Sequence, residues 1–190
     1  MRLLDSLREQ ADKFGFRQIC NVVLEDKRFP LWSGASRPET HHYGDGCLIE
    51  HVHEVIDLGR ENNKYFTKKG KGVDDSHLFL AGLFHDAGKM WDYEKYLVPG
   101  SENNWQWRAA EHKFKIHHIC RSALVWQDAY ARFPYGIKQE YFEEILHAIL
   151  AHHGRREWGS PVEPQTRLAW ILHLCDGLSA RMDDCKKGNK

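Results

Sequence analysis

Apolar residues recur along this chain at helical spacing, in blocks separated by polar or Gly- and Pro-rich stretches. Leu3, Leu4, Leu7, Ala11 and Phe14 mark one face of a first helix that Gly15 would end, and Ile19, Val22 and Val23 mark a short second one. Residues 29–46 are rich in Pro, Gly, Ser and aromatics and read as a long loop. A loop of that length inside a compact domain is often functional. Leu48, Ile49, Val52, Val55, Ile56 and Leu58 predict an amphipathic helix, and residues 62–76 then read as a basic linker or a frayed helix end. Asp74, Asp75 and Ser76 offer a cap for a helix over 77–84. Residues 91–107 read as an exposed insertion turning at Pro99-Gly100. Further helices are expected over about 109–130, 139–152 and 164–183, the last with Pro164 in its first turn. Leu168, Ile171, Leu172, Cys175, Leu178 and Met182 would form its apolar face. No internal repeat and no strong strand alternation is visible, so the expected architecture is all-α: a single-domain helical bundle.

Composition changes this picture in one respect. With 190 residues, 42% hydrophobic and 28% charged, the chain fits one globular domain. Lys plus Arg and Asp plus Glu both number 27, and this balance argues against an extended nucleic-acid surface while leaving room for a local basic groove fed by Lys68, Lys69 and Lys71. The five cysteines form no Cys-x-x-Cys and fit reduced thiols in a cytoplasmic protein. No secretory leader is expected, because Met1 runs directly into a charged amphipathic segment, and no apolar run is long enough for a membrane span. Histidine stands out, with 13 in the chain and several in pairs: His41-His42, His117-His118 and His152-His153.

The chemistry concentrates where apolar runs meet His or Asp. His85-Asp86 ends the run Leu78–Phe84 and is followed by Ala87-Gly88-Lys89. Buried charge is costly unless paired or bound to a metal. His51 borders the apolar stripe of its helix, His152-His153 ends the stretch Ile145–Leu150, and Asp176 points inward four residues after Leu172. One ion could be held by His51, His85, Asp86 and Asp176. A second could be held by His118, His152 and His153 with Asp86 bridging. Imidazole and carboxylate without thiolate suit manganese foremost, with iron, nickel, cobalt, zinc or magnesium as alternatives. Such ions lower the pKa of bound water and offset phosphoryl charge. Lys89, four residues after His85, could neutralise a phosphate oxygen. His53, His77, His112 and His147 read as ordinary packing or surface histidines. Trp158, Tyr43 and Trp32 could stack on a base or simply pack.

These residues resemble the HD-domain metal-dependent phosphohydrolases, and the resemblance extends to the YhaM-type 3′→5′ exoribonucleases. His41-His42-Tyr43 with Gly46-Cys47-Leu48-Ile49-Glu50-His51 is similar to their His-His-x-Tyr…Gly-Leu-Leu-Glu-His stretch, which also has a counterpart in HD-like domains of some conjugative relaxases. Leu83–Lys89 is similar to their Leu-Leu-His-Asp-Ile-Gly-Lys, and His152-His153-Gly154 with Glu157–Pro164 to their His-His-Gly…Gly-Ser-Pro loop. His173-Leu174-Cys175-Asp176, with Ala180 and Met182, is similar to their ending. The resemblance covers residues 38–184; residues 1–37 read as an N-terminal helical segment and loop, and 185–190 as a flexible tail. It implies His51, His85, Asp86 and Asp176 as metal ligands, and His118, His152 and His153 as a second-metal or phosphate site. Two departures stand out: the family's Gly-His-Ile is His117-His118-Ile119, with His118 favoured as the inward ring, and a family glycine is Asp45. Residues 1–37 show none of the oligonucleotide-binding domain that precedes the HD domain in those enzymes, so processive action on long RNA is not expected.

The leading expectation is a phosphohydrolase that cleaves nucleic-acid 3′ ends by metal-activated water. Asp86, Lys89, His118 and His152 would be catalytic, and Lys89, His41, His42 and Trp158 would bind single-stranded nucleic acid. A free nucleotide, as for nucleotidases or dNTP hydrolases, is the alternative substrate. A di-iron oxygenase and a non-catalytic HD-like module are further readings; Lys89 argues against the first and the full ligand set against the second.

Overall fold

The computed structural model describes residues 2–134 and 136–186. Helices α1 (Arg2–Lys13), α2 (Arg17–Leu24), α3 (Cys47–Thr67) and α4 (Asp75–Phe84) come first, followed by the short α5 (Lys89–Asp92). A two-stranded hairpin, β1 (Tyr93–Leu97) and β2 (Trp105–Ala109), precedes α6 (Glu111–Lys115), α7 (His118–Arg132), α8 (Gln139–Ala151) and α9 (Arg167–Lys186). The all-α, single-domain expectation holds. The tail expected from residue 185 lies, from 187 on, outside the described residues.

The core is built around α4, whose residues Leu78 to Phe84 are all buried. A helix that is apolar on every side must be surrounded, and α4 packs against α2, α3, α7, α8 and α9. Its first turn is held by Asp74, whose Oδ1 accepts the Ser76 and His77 amides at 2.8 and 3.2 Å. Leu7, Ala11, Ile19, Val23 and Leu24 of α1 and α2 belong to the same apolar cluster as α3, α4, α8 and α9.

Four expectations are corrected. The stretch read as an exposed insertion is an antiparallel hairpin, pairing Tyr93 with Ala109 and Lys95 with Trp107. Its inner residues are buried: Trp107 N–H donates to the Tyr43 hydroxyl at 3.2 Å and Trp107 Nε1 to Asp45 Oδ1 at 2.8 Å, while Trp32 Nε1 donates to the Tyr93 carbonyl at 3.1 Å. Tyr43 and Trp32 thus anchor the hairpin. The helix expected over 109–130 is two helices, because His117 adopts a φ of 69° between α6 and α7. The helix over 48–58 runs on to Thr67, so the linker is shorter than the composition implied. Finally, Pro164 lies before α9 rather than in its first turn, and Leu178 and Met182 are exposed there, because the face of α9 turned to the core carries Leu168, Ala169, Ile171, Leu172, Cys175 and Ser179.

Candidate metal centre

Each predicted ligand stands where its helix meets the core. His51 is buried within α3 beside Leu48, Val52 and Val55. His85 and Asp86 follow the last residue of α4, and a turn through Ala87 and Gly88 leads to Lys89 at the start of α5. Gly88 has no substitute there, since a Cβ would lie 2.2 Å from the His118 carbonyl oxygen. Its amide donates to Ser122 Oγ at 2.9 Å, drawing α7 against the turn. His118 opens α7, His152 and His153 follow α8, and Asp176 lies within α9.

These side chains converge. His51 Nε2 is 3.0 Å from Asp176 Oδ1 and 3.2 Å from Asp86 Oδ2, and His85 Nε2 is 3.5 Å from Asp86 Oδ2 and 3.4 Å from His51 Nε2. On the other side of the same carboxylate, His118 Nε2 and His152 Nε2 lie 3.5 and 3.6 Å from Asp86 Oδ1. His51, His85, Asp86 and Asp176 form one group able to enclose an ion, and His118, His152 and His153 form another. With metal–ligand bonds of about 2.1 Å, neighbouring donors in a coordination shell sit about 3.0–3.4 Å apart. The closest spacings of the first group match that range.

Hydrogen bonds set every one of these imidazoles in the same tautomer. The Nδ1–H groups of His85, His152 and His153 donate to the carbonyls of Gly82, Ile149 and Trp158, each at 2.7 Å. His118 Nδ1 donates to Asp92 Oδ2 at 3.1 Å. Ser179 gives its own proton to Glu54 Oε2 at 2.7 Å, so its Oγ accepts from His51 Nδ1 at 3.0 Å. His85, His118, His152 and His153 therefore present Nε2 with a free lone pair, the arrangement that outer hydrogen bonds produce around metal-binding histidines, whereas burial of His51 is outweighed by Asp176 and Asp86, which raise its pKa and face its Nε2. His118 Nε2, His152 Nε2 and Asp86 Oδ1 are buried without a hydrogen-bond partner among the described residues, while Asp86 Oδ2 meets the Lys89 ammonium. Orphaned lone pairs of this kind are costly in a core, and divalent cations would satisfy them. The donor set fits such ions.

The electrostatics agree. Burial alone would raise the Asp86 carboxyl, but the Lys89 and His85 charges hold it well below the usual range, and it stays ionised. Burial pushes His118 down to about 4 and His152 well below its ordinary value, so both rings are neutral near pH 7. Lys89 Nζ pairs with Asp86 Oδ2 at 2.7 Å, and that pairing raises its pKa against the opposing effect of burial.

The remaining predicted residues lie around this centre. His42 is buried behind His51, their ring centroids 4.5 Å apart, with Nε2 3.4 Å from Glu54 Oε2; burial drives its pKa down to about 3. His41 is half-buried beside it. Trp158 is exposed, with its carbonyl bound to His153. Sequence reasoning missed Asp92, Ser179, Glu54 and the role of His112. Asp92 is fully buried and accepts from the His118 amide at 2.9 Å and from His112 Nδ1 at 2.8 Å. Both its oxygens are thereby used, so its grouping with His117 and His118 orients a ring rather than offering a further cation site.

The HD domain family matches residues 48–181, a span that contains every candidate ligand. The chain belongs to the HD-domain family. Relatives of this HD-domain chain include proteins named 3'-5' exoribonuclease YhaM. The one from Geobacillus sp. (strain WCH70) is 46% identical over 172 residues, covering 88% of this chain and 47% of the relative. Those from Bacillus pumilus (strain SAFR-032) and Bacillus subtilis (strain 168) are 29% and 28% identical over 150 residues, covering 76% of this chain and 42% of each relative. The chain thus spans about half the length of the curated relatives it matches. No solved structure matches it. No helix among the described residues is long and apolar enough to cross a membrane.

Proposed function

We propose that this chain is a metal-dependent phosphohydrolase that removes nucleotides from the 3′ ends of single-stranded nucleic acid. The observation that carries the reading is the convergence of the Nε2 atoms of His51, His85, His118 and His152 on the two oxygens of Asp86. The printed name of relatives up to 46% identical supports the nucleic-acid substrate.

In this reading His51, His85, Asp86 and Asp176 would hold one ion, and His118, His152 and His153, with Asp86, would hold a second. Manganese is the proposed occupant, in keeping with nitrogen and oxygen donors without thiolate. When bound, such ions supply an activated water and offset charge on a phosphoryl oxygen. Lys89 stays protonated and acts as a fixed positive charge beside the phosphoryl group. His118 and His152 stay neutral, which keeps their Nε2 lone pairs available to the second ion. Half-buried His41 and exposed Trp158 contribute strand-facing walls, and His42, buried behind His51, supports that ring from within. The free thiols of Cys20, Cys120 and Cys175 support a cytoplasmic setting.

Manganese-loaded protein incubated with single-stranded RNA and DNA oligonucleotides, and separately with all ribo- and deoxyribonucleotides, tests this. Stepwise 3′ shortening with mononucleotide release, absent from Asp86→Ala, is expected. Hydrolysis confined to free nucleotides would replace the reading with a nucleotide phosphohydrolase.

A further inference from the structure

Next to the candidate metal centre lies a cleft of about 540 Å³ with an aromatic wall. His173 stands between Trp158 and Trp170, with ring centroids 6.2 and 6.0 Å away. Both indoles are largely open, Trp158 at 55% and Trp170 at 50%. Two half-exposed tryptophans on one cleft leave apolar surface in water, and a planar ligand would cover it.

This wall is rigid and is wired to the centre. His173 Nδ1 donates to the His152 carbonyl at 2.8 Å, and the Trp158 carbonyl accepts from His153 Nδ1 at 2.7 Å. Gly154, at φ +82°, lets the His173 ring lie against the backbone; a Cβ there would be 2.2 Å from the ring. One hydrogen bond thus joins the wall to the backbone of His152, whose ring faces Asp86.

The charges select the ligand. The Arg155 guanidinium lies 5.1 Å from the Trp158 ring centroid. Trp170 also borders a second groove, of about 210 Å³, which Lys71 and Arg167 flank. Glu157 and Glu163 line the first cleft, so phosphates are disfavoured deep within it while neutral bases are not. Bases against the aromatic wall, with the sugar-phosphate chain passing over Trp170 toward Lys71 and Arg167, satisfy both sets of charges. A free mononucleotide would leave the second groove unused.

We propose that Trp158, His173 and Trp170 form a base-stacking subsite for single-stranded nucleic acid, and that the strand leaves it along the groove flanked by Lys71 and Arg167. The inference rests on the proposed function for which end of the strand reaches the metal centre, but the stacking itself can be tested without turnover. Base-on-aromatic stacking tolerates any sequence, so the subsite would read strandedness rather than bases.

The test uses the full chain and short single-stranded oligonucleotides, intact or abasic at their 3′-terminal positions, with binding followed by tryptophan fluorescence under chelator. The wild type should bind the intact strand more tightly than the abasic one. Trp170→Ala should weaken intact-strand binding about tenfold or more and leave abasic binding unchanged, with Trp170→Phe recovering most of the loss. Lys71→Gln should lower the salt dependence of binding without changing the preference for intact bases. Equal losses for intact and abasic strands, or no loss, would overturn the subsite. So would self-association that Trp170→Ala abolishes while strand affinity stays constant, since the patch would then be a protein contact. Base-selective binding without hydrolysis under manganese would retain the subsite and remove the phosphohydrolase reading. Hydrolysis with unaltered strand affinity in Trp170→Ala would do the reverse.

Discussion

Asp86 carries the greatest burden at the residue scale. Its oxygens face His51 and His85 on one side and His118 and His152 on the other, and Oδ1 is buried without a hydrogen-bond donor among the described residues. Removing the carboxylate removes the charge that all four rings face, so Asp86→Ala should lose manganese binding in calorimetry while its far-ultraviolet dichroism stays helical. Asp92 acts one layer out, through His118. An amide in its place keeps the shape and loses the charge, so Asp92→Asn should weaken manganese binding about 10–100-fold, read directly as metal affinity. Asp86 was legible, because it ends a fully apolar run. Asp92 was not: it sits among polar and aromatic residues, and only its contact with His118 gives it a purpose.

Among the elements, the clearest local signal was the cap of α4. Asp74→Ala should cost about 1 kcal/mol of stability in denaturant unfolding, since it strands the Ser76 and His77 amides. The break between α6 and α7 was hidden because nothing in residues 109–130 demands it. It arises because Asp92 accepts the His118 amide, meeting an orphan donor and complementing the dipole at the start of α7. The hairpin escaped notice for a similar reason. Its strands are 5 residues each, too short for alternation to declare itself, and they are held by Tyr43, Asp45 and Trp32 from a distant loop.

For the whole molecule, buried charge makes stability depend on pH and metal. In the metal-free protein His118 is lowered to about 4 and His42 to about 3 from 6.5, and His85 and His152 are lowered too, all chiefly by burial. The unfolded chain therefore binds more protons between pH 6.5 and about 4, so stability is fully present above 6.5 and is lost as pH falls through that window. His51, raised by Asp176 and Asp86, opposes this but is one ring against several. Under chelator the denaturation midpoint should drop on acidification from pH 7 toward about 5; a flat profile would mean these rings are solvated. Manganese should raise the melting temperature in proportion to log metal concentration, and chelator should reverse it.

The sequence by itself determined the helical architecture and singled out the candidate ligands, because both follow from where apolar periodicity runs and where His or Asp interrupts it. That information is local and survives in one dimension. Tertiary structure alone decided which oxygen of Asp86 meets which imidazole, which tautomer each ring adopts, that Asp92 and Ser179 stand behind His118 and His51, and that Trp158 and Trp170 share one His173. Those facts depend on distances between residues far apart in the chain, and no spacing along it encodes them.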